Sequence, residues 1–234
     1  MGGGILSIMK SAHSIKAVGL DIDDVVLDYK GILPKILSVY LGRHVANIEE
    51  LNSLYPPKNG YYHIPSEVLS ISAVSEEFEN LPFLPYSKQV LDRLWSIGLP
   101  LFAVSSCCYH PTAYATRCEQ FKRNFKSVIV PDGINIEDIE PEDRKVIKYF
   151  QKEVIMGGKK SPYILEFLEA NKLRPEEVVF VDDALNNIEE LSMAVKGLNL
   201  FWLQDARFGP YTAKLPGVHI ARDLRCLEKF IKSR

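Results

Sequence analysis

The segment KAVGLDIDDVVLD, residues 16–28, decides how the rest of the chain is interpreted. Its apolar start, residues 17–20, is too short for a helix and is typical of a central strand covered on both faces in a parallel sheet. Asp21, Asp23 and Asp24 follow at the strand end, where open α/β sheets place ligands. Asp21 and Asp23 point to the same side of an extended segment, and such converging carboxylates are unfavourable unless they share a cation. The alternative is a strand followed by a solvated acidic turn.

The composition limits the class of protein. A chain of 234 residues with 47% hydrophobic residues can bury one substantial core and a small accessory module. The net charge of −2, without long runs of Lys and Arg, does not indicate duplex nucleic acid or an anionic membrane as the main partner. The four cysteines contain no C-x-x-C pair, and no apolar run reaches the length of a membrane span. We therefore expect a soluble, cytoplasmic protein in which residues 1–12 form a loose tail and a small molecule is the partner.

A block of short helices interrupts the alternation of strands and helices after the first strand. Capping residues and apolar spacing predict one helix over residues 33–41 that ends at Gly42, one that follows Asn47 and one that begins at Ser66. We interpret residues 29–84 as a small helical cap inserted after the first strand.

From residue 85 onward, strands and helices alternate regularly. Strands are predicted over residues 99–104, 127–130, 178–181 and 198–203, and helices over 87–97, 111–125, 161–171, 186–195 and from 223. This alternation is the signature of an α/β fold with a doubly wound, Rossmann-like parallel sheet, formed by residues 14–28 and 85–234. Residues 131–158, with a helix over 144–153, are predicted to be a peripheral excursion.

Three of the predicted strands end in polar pairs, which are Asp21 and Asp23, Ser105 and Ser106, and Asp182 and Asp183. Lys159 and Lys160 stand at the start of the helix before the last of these strands. Because parallel strands end at one edge of the sheet, these side chains are expected to converge. Two carboxylate pairs form an oxygen-rich pocket that suits Mg²⁺. A lysine and a hydroxyl nearby supply the charge and the hydrogen-bond donor that a phosphate needs.

With these motifs in this order, the sequence resembles the haloacid dehalogenase superfamily. Phosphatases of that superfamily carry D-x-D near the N-terminus, a Ser or Thr after a second strand, a Lys, and a second acidic motif. The resemblance implies that Asp21 is the nucleophile that becomes an acyl phosphate and that Asp23 is the general acid and base. It implies that Ser105 holds the phosphoryl group and that Lys160 neutralises its charge. An acid at position 23 points to a phosphatase, because dehalogenases and phosphonatases of the superfamily lack it.

The resemblance also implies a metal site. Asp21, the backbone carbonyl of Asp23, and Asp183 with the help of Asp182 would bind Mg²⁺. Asp24 stands where the superfamily often has Gly, and no catalytic duty is predicted for it.

The motif lysine has more than one candidate. Lys160 fits one pattern of the superfamily and Lys159 another, while deoxyribonucleotidase-like members carry the lysine earlier, at Lys122 or Lys126 here. Lys159 and Ser106 are assigned to substrate binding.

Two hypotheses from different classes follow. The first is Mg²⁺-dependent hydrolysis of a small phosphomonoester through an aspartyl-phosphate intermediate. A nucleoside monophosphate is favoured over a sugar phosphate because of Val25 and a possible stacking wall of Tyr55, Tyr61, Tyr62 and His63. The second is a catalytically silent scaffold of the same fold that binds phosphate or protein.

Overall fold

A parallel sheet of six strands forms the centre of the described part of the chain. The structure, a computed structural model, describes residues 14–105, 111–125, 153–155 and 158–234. The strands are β1 (Ala17–Leu20), β2 (Leu101–Ser105), β3 (Glu153–Ile155), β4 (Val178–Asp182), β5 (Asn199–Leu203) and β6 (His219–Ala221). Their order is β3-β2-β1-β4-β5-β6, and every neighbouring pair is parallel. β1 therefore lies between the two strands whose ends also carry polar side chains.

Helices cover both faces of this sheet. They are α1 (Tyr29–Leu41), α2 (Ile48–Leu54), α3 (Ser66–Ala73), α4 (Glu76–Glu79), α5 (Ser87–Ser96), α6 (Pro111–Phe125), α7 (Ser161–Ala170), α8 (Leu185–Ala194) and α9 (Arg225–Lys232). α5, α6 and α9 pack with Val18 and Leu20 on one face, while α7 and α8 pack with Ala17 on the other. This arrangement confirms the predicted α/β, doubly wound fold. Among the described helices, none has both the length and the apolar character needed to cross a membrane.

Gly19, in β1, allows aromatic rings from both neighbouring strands to approach the backbone closely. A Cβ atom at this position would lie 2.4 Å from the Phe102 ring and 2.5 Å from the Phe180 ring. These distances are well below van der Waals contact, so a larger residue would displace the rings or the strand. Because Asp21 follows two residues later, this packing helps to set the position of the acidic end of β1.

The helices between β1 and α5 begin close to their predicted positions. α1 ends at Gly42, as predicted, and this glycine has a left-handed backbone with φ of 62°. The helix begins at Tyr29 rather than at residue 33, because the Asp28 side chain accepts a hydrogen bond from the Gly31 N–H and caps the first turn. The predicted starts of α2 and α3 are confirmed, whereas the single-turn helix α4 is not predicted.

The segment after β5 contacts this helical block at several points. Phe208 joins the block's own apolar cluster, which contains Leu33, Ile36, Leu37, Val45, Leu51, Tyr62 and Val68. Arg207 forms an ion pair with Asp28, with an Nη1–Oδ2 distance of 2.9 Å. Asn59 Oδ1 accepts a hydrogen bond from the Thr212 N–H at 2.7 Å. Since the block shares its apolar cluster with the region after β5, the division into a core and a cap at residues 29–84 stays a prediction.

The edge strands of the sheet depart from the predicted pattern. Glu153, predicted as the end of a helix over 144–153, lies in β3 and pairs with Ala103. The helix prediction is therefore wrong at this residue, and the predicted excursion over residues 131–158 includes a strand of the sheet. β3 and β6 each have three residues, which is too short for an apolar pattern to identify a strand. The rest of that predicted helix and the predicted strand over 127–130 lie outside the described residues.

Candidate active site

Carboxylates from β1 and β4 meet at the carboxyl end of the sheet. Asp21 directly follows β1, and its N–H donates to the Val181 carbonyl oxygen at 2.9 Å. Asp182 ends β4, and Asp183 follows it. Asp21, Asp182 and Asp183 each offer an oxygen, and these atoms all lie within 4.8 Å of one another. The structure thus brings together three of the acids that the sequence assigns to metal binding.

Lys160 lies between two of these acids. Its Nζ is 2.7 Å from Asp182 Oδ2 and 3.0 Å from Asp21 Oδ2, and the side chain is buried. Burial disfavours the charged ammonium, but the carboxylates of Asp182 and Asp21 outweigh this effect and raise the pKa of Lys160. The other candidate lysines differ, since Lys159 and Lys122 are exposed and Lys126 lies outside the described residues. Of the lysines in the described residues that the sequence proposes, only Lys160 contacts Asp21.

Asp182 is the most enclosed of the acids. Its carboxylate accepts hydrogen bonds from the Ala184 N–H at 2.8 Å and from the Asn187 amide at 3.1 and 3.2 Å. Burial, together with the negative charges of Asp21 and Asp183, raises the pKa of Asp182 to about 7. Burial is the main cause of this raised pKa, and the neighbouring carboxylates add to it.

A second lysine, which the sequence analysis did not identify, lies on the other side of the cluster. Lys30 is in the first turn of α1, and its ammonium group forms an ion pair with Asp183. Asp24 holds this lysine in place, since its Oδ1 accepts from the Lys30 N–H at 2.7 Å and its Oδ2 is 3.4 Å from the Lys30 ammonium. Asp24 has a left-handed backbone with φ of 58°, and burial raises the pKa of its carboxyl group. Asp24 therefore has a structural duty that the sequence did not predict.

The Asp23 carboxylate is paired with an arginine from α6. The Nη2 group of Arg117 donates to Asp23 Oδ1 at 2.7 Å and to Oδ2 at 2.5 Å. Asp23, to which the sequence assigns the role of general acid and base, thus has its own partner. Its carboxylate does not belong to the group formed by Asp21, Asp182 and Asp183. No sequence signal links these residues, because they are 94 positions apart.

The hydroxyl group of Ser105 lies at the end of β2, beside β1. It is buried, and within the described residues its Oγ has no hydrogen-bond partner. Buried polar groups are nearly always paired, and residues 106–110, which directly follow Ser105, lie outside the described residues. Ser106, which the sequence assigns to substrate binding, lies outside the described residues.

The aromatic residues suggested as a stacking wall separate into two groups. Tyr62 is buried and its ring packs edge-on against Phe208, with centroids 5.9 Å apart. Tyr55 also packs against that apolar cluster. Tyr61 and His63 are exposed and stack edge-on, with centroids 5.0 Å apart. Tyr62 is therefore part of the packed interior, Tyr55 is half-buried, and Tyr61 and His63 are exposed.

The charges of the cluster fit a divalent cation. Its two ammonium groups, Lys30 and Lys160, face four carboxylates, which are Asp21, Asp24, Asp182 and Asp183. Two negative charges are left over when all four acids are ionised. Carboxylate oxygens are the ligands that Mg²⁺ prefers, so both the donor atoms and the charge balance suit this ion.

Comparison with known proteins supports the fold. No protein-family model matches the chain, and a search of curated proteins found no match. A haloacid dehalogenase superfamily hydrolase from Ehrlichia chaffeensis is 13% identical with a TM-score of 0.55, over 95% of this chain and 98% of that chain. A predicted phosphoglycolate phosphatase from Haemophilus somnus is 16% identical with a TM-score of 0.54, over 92% and 97% of the two chains.

Dehalogenases are among the similar structures as well. An L-2-haloacid dehalogenase is 14% identical with a TM-score of 0.54, over 94% of this chain and 99% of that chain. At such low identities the likeness concerns the fold. The chain thus has the fold of the haloacid dehalogenase superfamily hydrolases, as its motifs predict.

Proposed function

We propose that the protein is a Mg²⁺-dependent phosphatase that hydrolyses a small phosphomonoester through an aspartyl phosphate on Asp21. The observation that carries this proposal is the contact of Asp21 with buried Lys160 inside a carboxylate cluster that has surplus negative charge. Phosphoryl transfer depends mainly on positioning and on neutralising charge around the phosphoryl group. A nucleophile, a fixed cation and a set of metal-binding oxygens supply these requirements.

In the first step, an Asp21 carboxylate oxygen attacks phosphorus and the bond to the leaving oxygen breaks. Asp23 enters this step protonated and donates its proton to that oxygen, so an alcohol leaves and Asp21 becomes an acyl phosphate. The orientation of the nucleophile is supported by the Ile22 N–H, which donates to Asp21 Oδ1 at 2.7 Å.

In the second step, a water molecule attacks the phosphorus of the acyl phosphate. Asp23 accepts a proton from this water, the bond between phosphorus and the Asp21 oxygen breaks, and inorganic phosphate leaves. Both carboxyl groups then return to their starting states.

The remaining side chains bind and neutralise the phosphoryl group. Lys160 places positive charge beside Asp21, and the Ser105 hydroxyl group, which has no partner among the described residues, can donate a hydrogen bond to a phosphoryl oxygen. Asp21, Asp182 and Asp183, with the carbonyl group of Asp23, would hold Mg²⁺, which supplies further positive charge to the phosphate oxygens.

Phosphatase chemistry is favoured over dehalogenation by Asp23. By the superfamily resemblance, dehalogenases lack an acid at this position, whereas here the acid is present and held by Arg117. The carboxylate cluster also suits a metal ion, for which a haloacid substrate has no evident use.

The proposal is tested with the purified protein and p-nitrophenyl phosphate, with Mg²⁺ and with EDTA. We expect nitrophenol release that requires the metal, and no chloride release from 2-chloropropionate. If no metal-dependent release occurs, the scaffold hypothesis is favoured. A panel of phosphorylated metabolites then tests the preference for a nucleoside monophosphate over a sugar phosphate.

A further inference from the structure

We propose that Arg117 is a positioning residue that holds the Asp23 carboxylate in place for its two proton transfers. The proposal rests on the proposed function, because Asp23 transfers protons only if the protein is a phosphatase. No motif of the sequence assigns a role to Arg117.

The contact itself fixes the carboxylate at both oxygens. One guanidinium nitrogen of Arg117, Nη2, donates to Asp23 Oδ1 and Oδ2 at 2.7 and 2.5 Å. Hydrogen bonds between ionised groups are shorter and stronger than neutral ones. Rotation of the carboxylate would therefore break a charge-assisted contact.

Arg117 approaches Asp23 from the protein interior. The arginine side chain is 0% exposed, whereas the Asp23 side chain is 21% exposed. The supporting Arg117 side chain is therefore buried, while the Asp23 carboxylate is partly exposed. Such a geometry leaves Asp23 accessible to a substrate while its orientation is set from behind.

Asp23 has no comparable second support. Within the described ranges, Arg117 is the only group that hydrogen-bonds to its carboxylate. The neighbouring nucleophile differs, since the Asp21 carboxylate is held by the Ile22 N–H and by Lys160. Loss of Arg117 would thus release Asp23 but leave the contacts of Asp21 in place.

Arg117 in turn depends on Asp23 for its charge balance. Its Nε and Nη1 groups are buried and have no hydrogen-bond partner in the parts of the chain that the structure describes. The Phe78 ring lies 4.9 Å from its Cζ atom and provides a cation–π contact. A guanidinium group is always charged in proteins, and a buried charge needs a partner, so the two side chains stabilise each other.

Helix α6 is held independently of this pair. Gln120 and Arg123 both donate hydrogen bonds to backbone carbonyl groups of α4, at Phe78 and Glu79. The base of the Arg117 side chain is therefore anchored even when Asp23 is altered. This anchoring makes Arg117 a rigid support.

The experiment compares Arg117→Met and Arg117→Lys with the wild type on p-nitrophenyl phosphate and phenyl phosphate. Both substrates are aryl phosphates. Phenolate is the more basic leaving group, so its departure depends more on protonation by Asp23 than the departure of nitrophenolate does. We expect Arg117→Met to lower kcat/KM, which reports the step that expels the leaving group, for phenyl phosphate by about 10²-fold, the scale of a misplaced catalytic group. The loss for p-nitrophenyl phosphate should be smaller, KM should change little, and Arg117→Lys should restore part of kcat/KM.

Arg93→Met is the matched control, because Arg93 is an exposed arginine on α5 that pairs with Glu228 rather than with Asp23. This variant should keep the wild-type kcat/KM for both substrates. In an Asp23→Asn background, Arg117→Met should change the residual rate by about twofold or less, since residues that act as one unit are not additive.

Equal losses for the two substrates, or an undiminished effect of Arg117→Met in the Asp23→Asn background, would overturn the positioning role. If Arg117→Met does not fold, Arg117→Lys is compared with the wild type on the same two substrates and in the Asp23→Asn background. Absence of metal-dependent activity in the wild type would overturn the proposed function, and the positioning role with it. The two failures are distinguishable, because a lack of metal-dependent activity is detected in the wild-type protein before any variant is made.

Discussion

Two acids that are two residues apart, Asp21 and Asp23, lie in opposite electrostatic surroundings. Asp21 belongs to a cluster in which four carboxylates face two lysines, so two negative charges are left over when all four acids are ionised. Asp23 belongs to a pair with Arg117 that is neutral by itself. The comparison teaches that surplus charge makes a site for a cation, whereas a neutral pair holds a side chain still. The difference arises from partners on distant parts of the chain.

The largest expected effect comes from removing the nucleophile. Asp21→Asn should lower kcat for p-nitrophenyl phosphate by more than about 10³-fold, as loss of a nucleophile does in other enzymes. The fold should persist, because the change removes one negative charge from a cluster in which carboxylates outnumber lysines. Circular dichroism and thermal unfolding check the fold, and Asp92→Asn, on the exposed surface of α5, is the control. Turnover near the wild-type rate would contradict the mechanism.

The next effect separates Lys159 and Lys160, two candidates for the motif lysine. Lys160→Met should lower kcat by about 10²- to 10³-fold, the scale of losing one group that stabilises transition-state charge. Lys159→Met should cost much less, because Lys159 is exposed while Lys160 contacts Asp21 and Asp182. Steady-state kinetics of the two variants side by side provide the measurement. A larger loss for Lys159→Met would make Lys159 the motif lysine.

A smaller effect concerns competition between the Lys30 ammonium group and Mg²⁺ for Asp183. Lys30→Met should tighten Mg²⁺ binding by about 5- to 10-fold, because the change removes a cation that pairs with Asp183. The Trp202 indole N–H donates to the Asp183 carbonyl oxygen at 3.0 Å, so tryptophan fluorescence can report the titration.

Lys35→Met is the control for this titration, since Lys35 is also on α1 but pairs with Glu77 on the surface. Unchanged or weaker Mg²⁺ affinity in Lys30→Met would show that the cluster has no surplus charge to offer.

The smallest effect is on the pH dependence of stability in metal-free protein. Burial and the charges of Asp21 and Asp183 raise the pKa of Asp182 to about 7, from about 3.9 in an unfolded chain. The folded state then binds more protons than the unfolded state between these values, so this contribution to stability is lost as pH rises towards 7. Urea unfolding in EDTA should show this decline in the wild type and a flatter profile in Asp182→Asn. Identical pH profiles would contradict the prediction.

Local signals in the sequence were sufficient for most of the fold. Asn47 and Gly42 mark helix ends through capping and backbone geometry, and buried runs that end in acids mark β1 and β4. These signals lie within a few residues of the element they define. Edge strands of three residues carry too little pattern to be detected in the same way.

Asp21, Ser105 and Asp182 lie at one sheet edge for a similar reason, because parallel strands all end there. Lys30 and Arg117 could not be found from the sequence, since their partners Asp183 and Asp23 are 153 and 94 positions away. Such pairs are set by how helices pack on the sheet, and no periodicity encodes them.

The close packing around Gly19 has a consequence for screens of activity. Alanine at this position would meet the rings of Phe102 and Phe180 at 2.4 and 2.5 Å, an overpacking that typically costs about 1–3 kcal/mol. The resulting shift of β1 would be passed to Asp21, which is two residues away. A screen that reads turnover alone would therefore score Gly19 as a member of the active centre, although it has no side chain to take part in the chemistry.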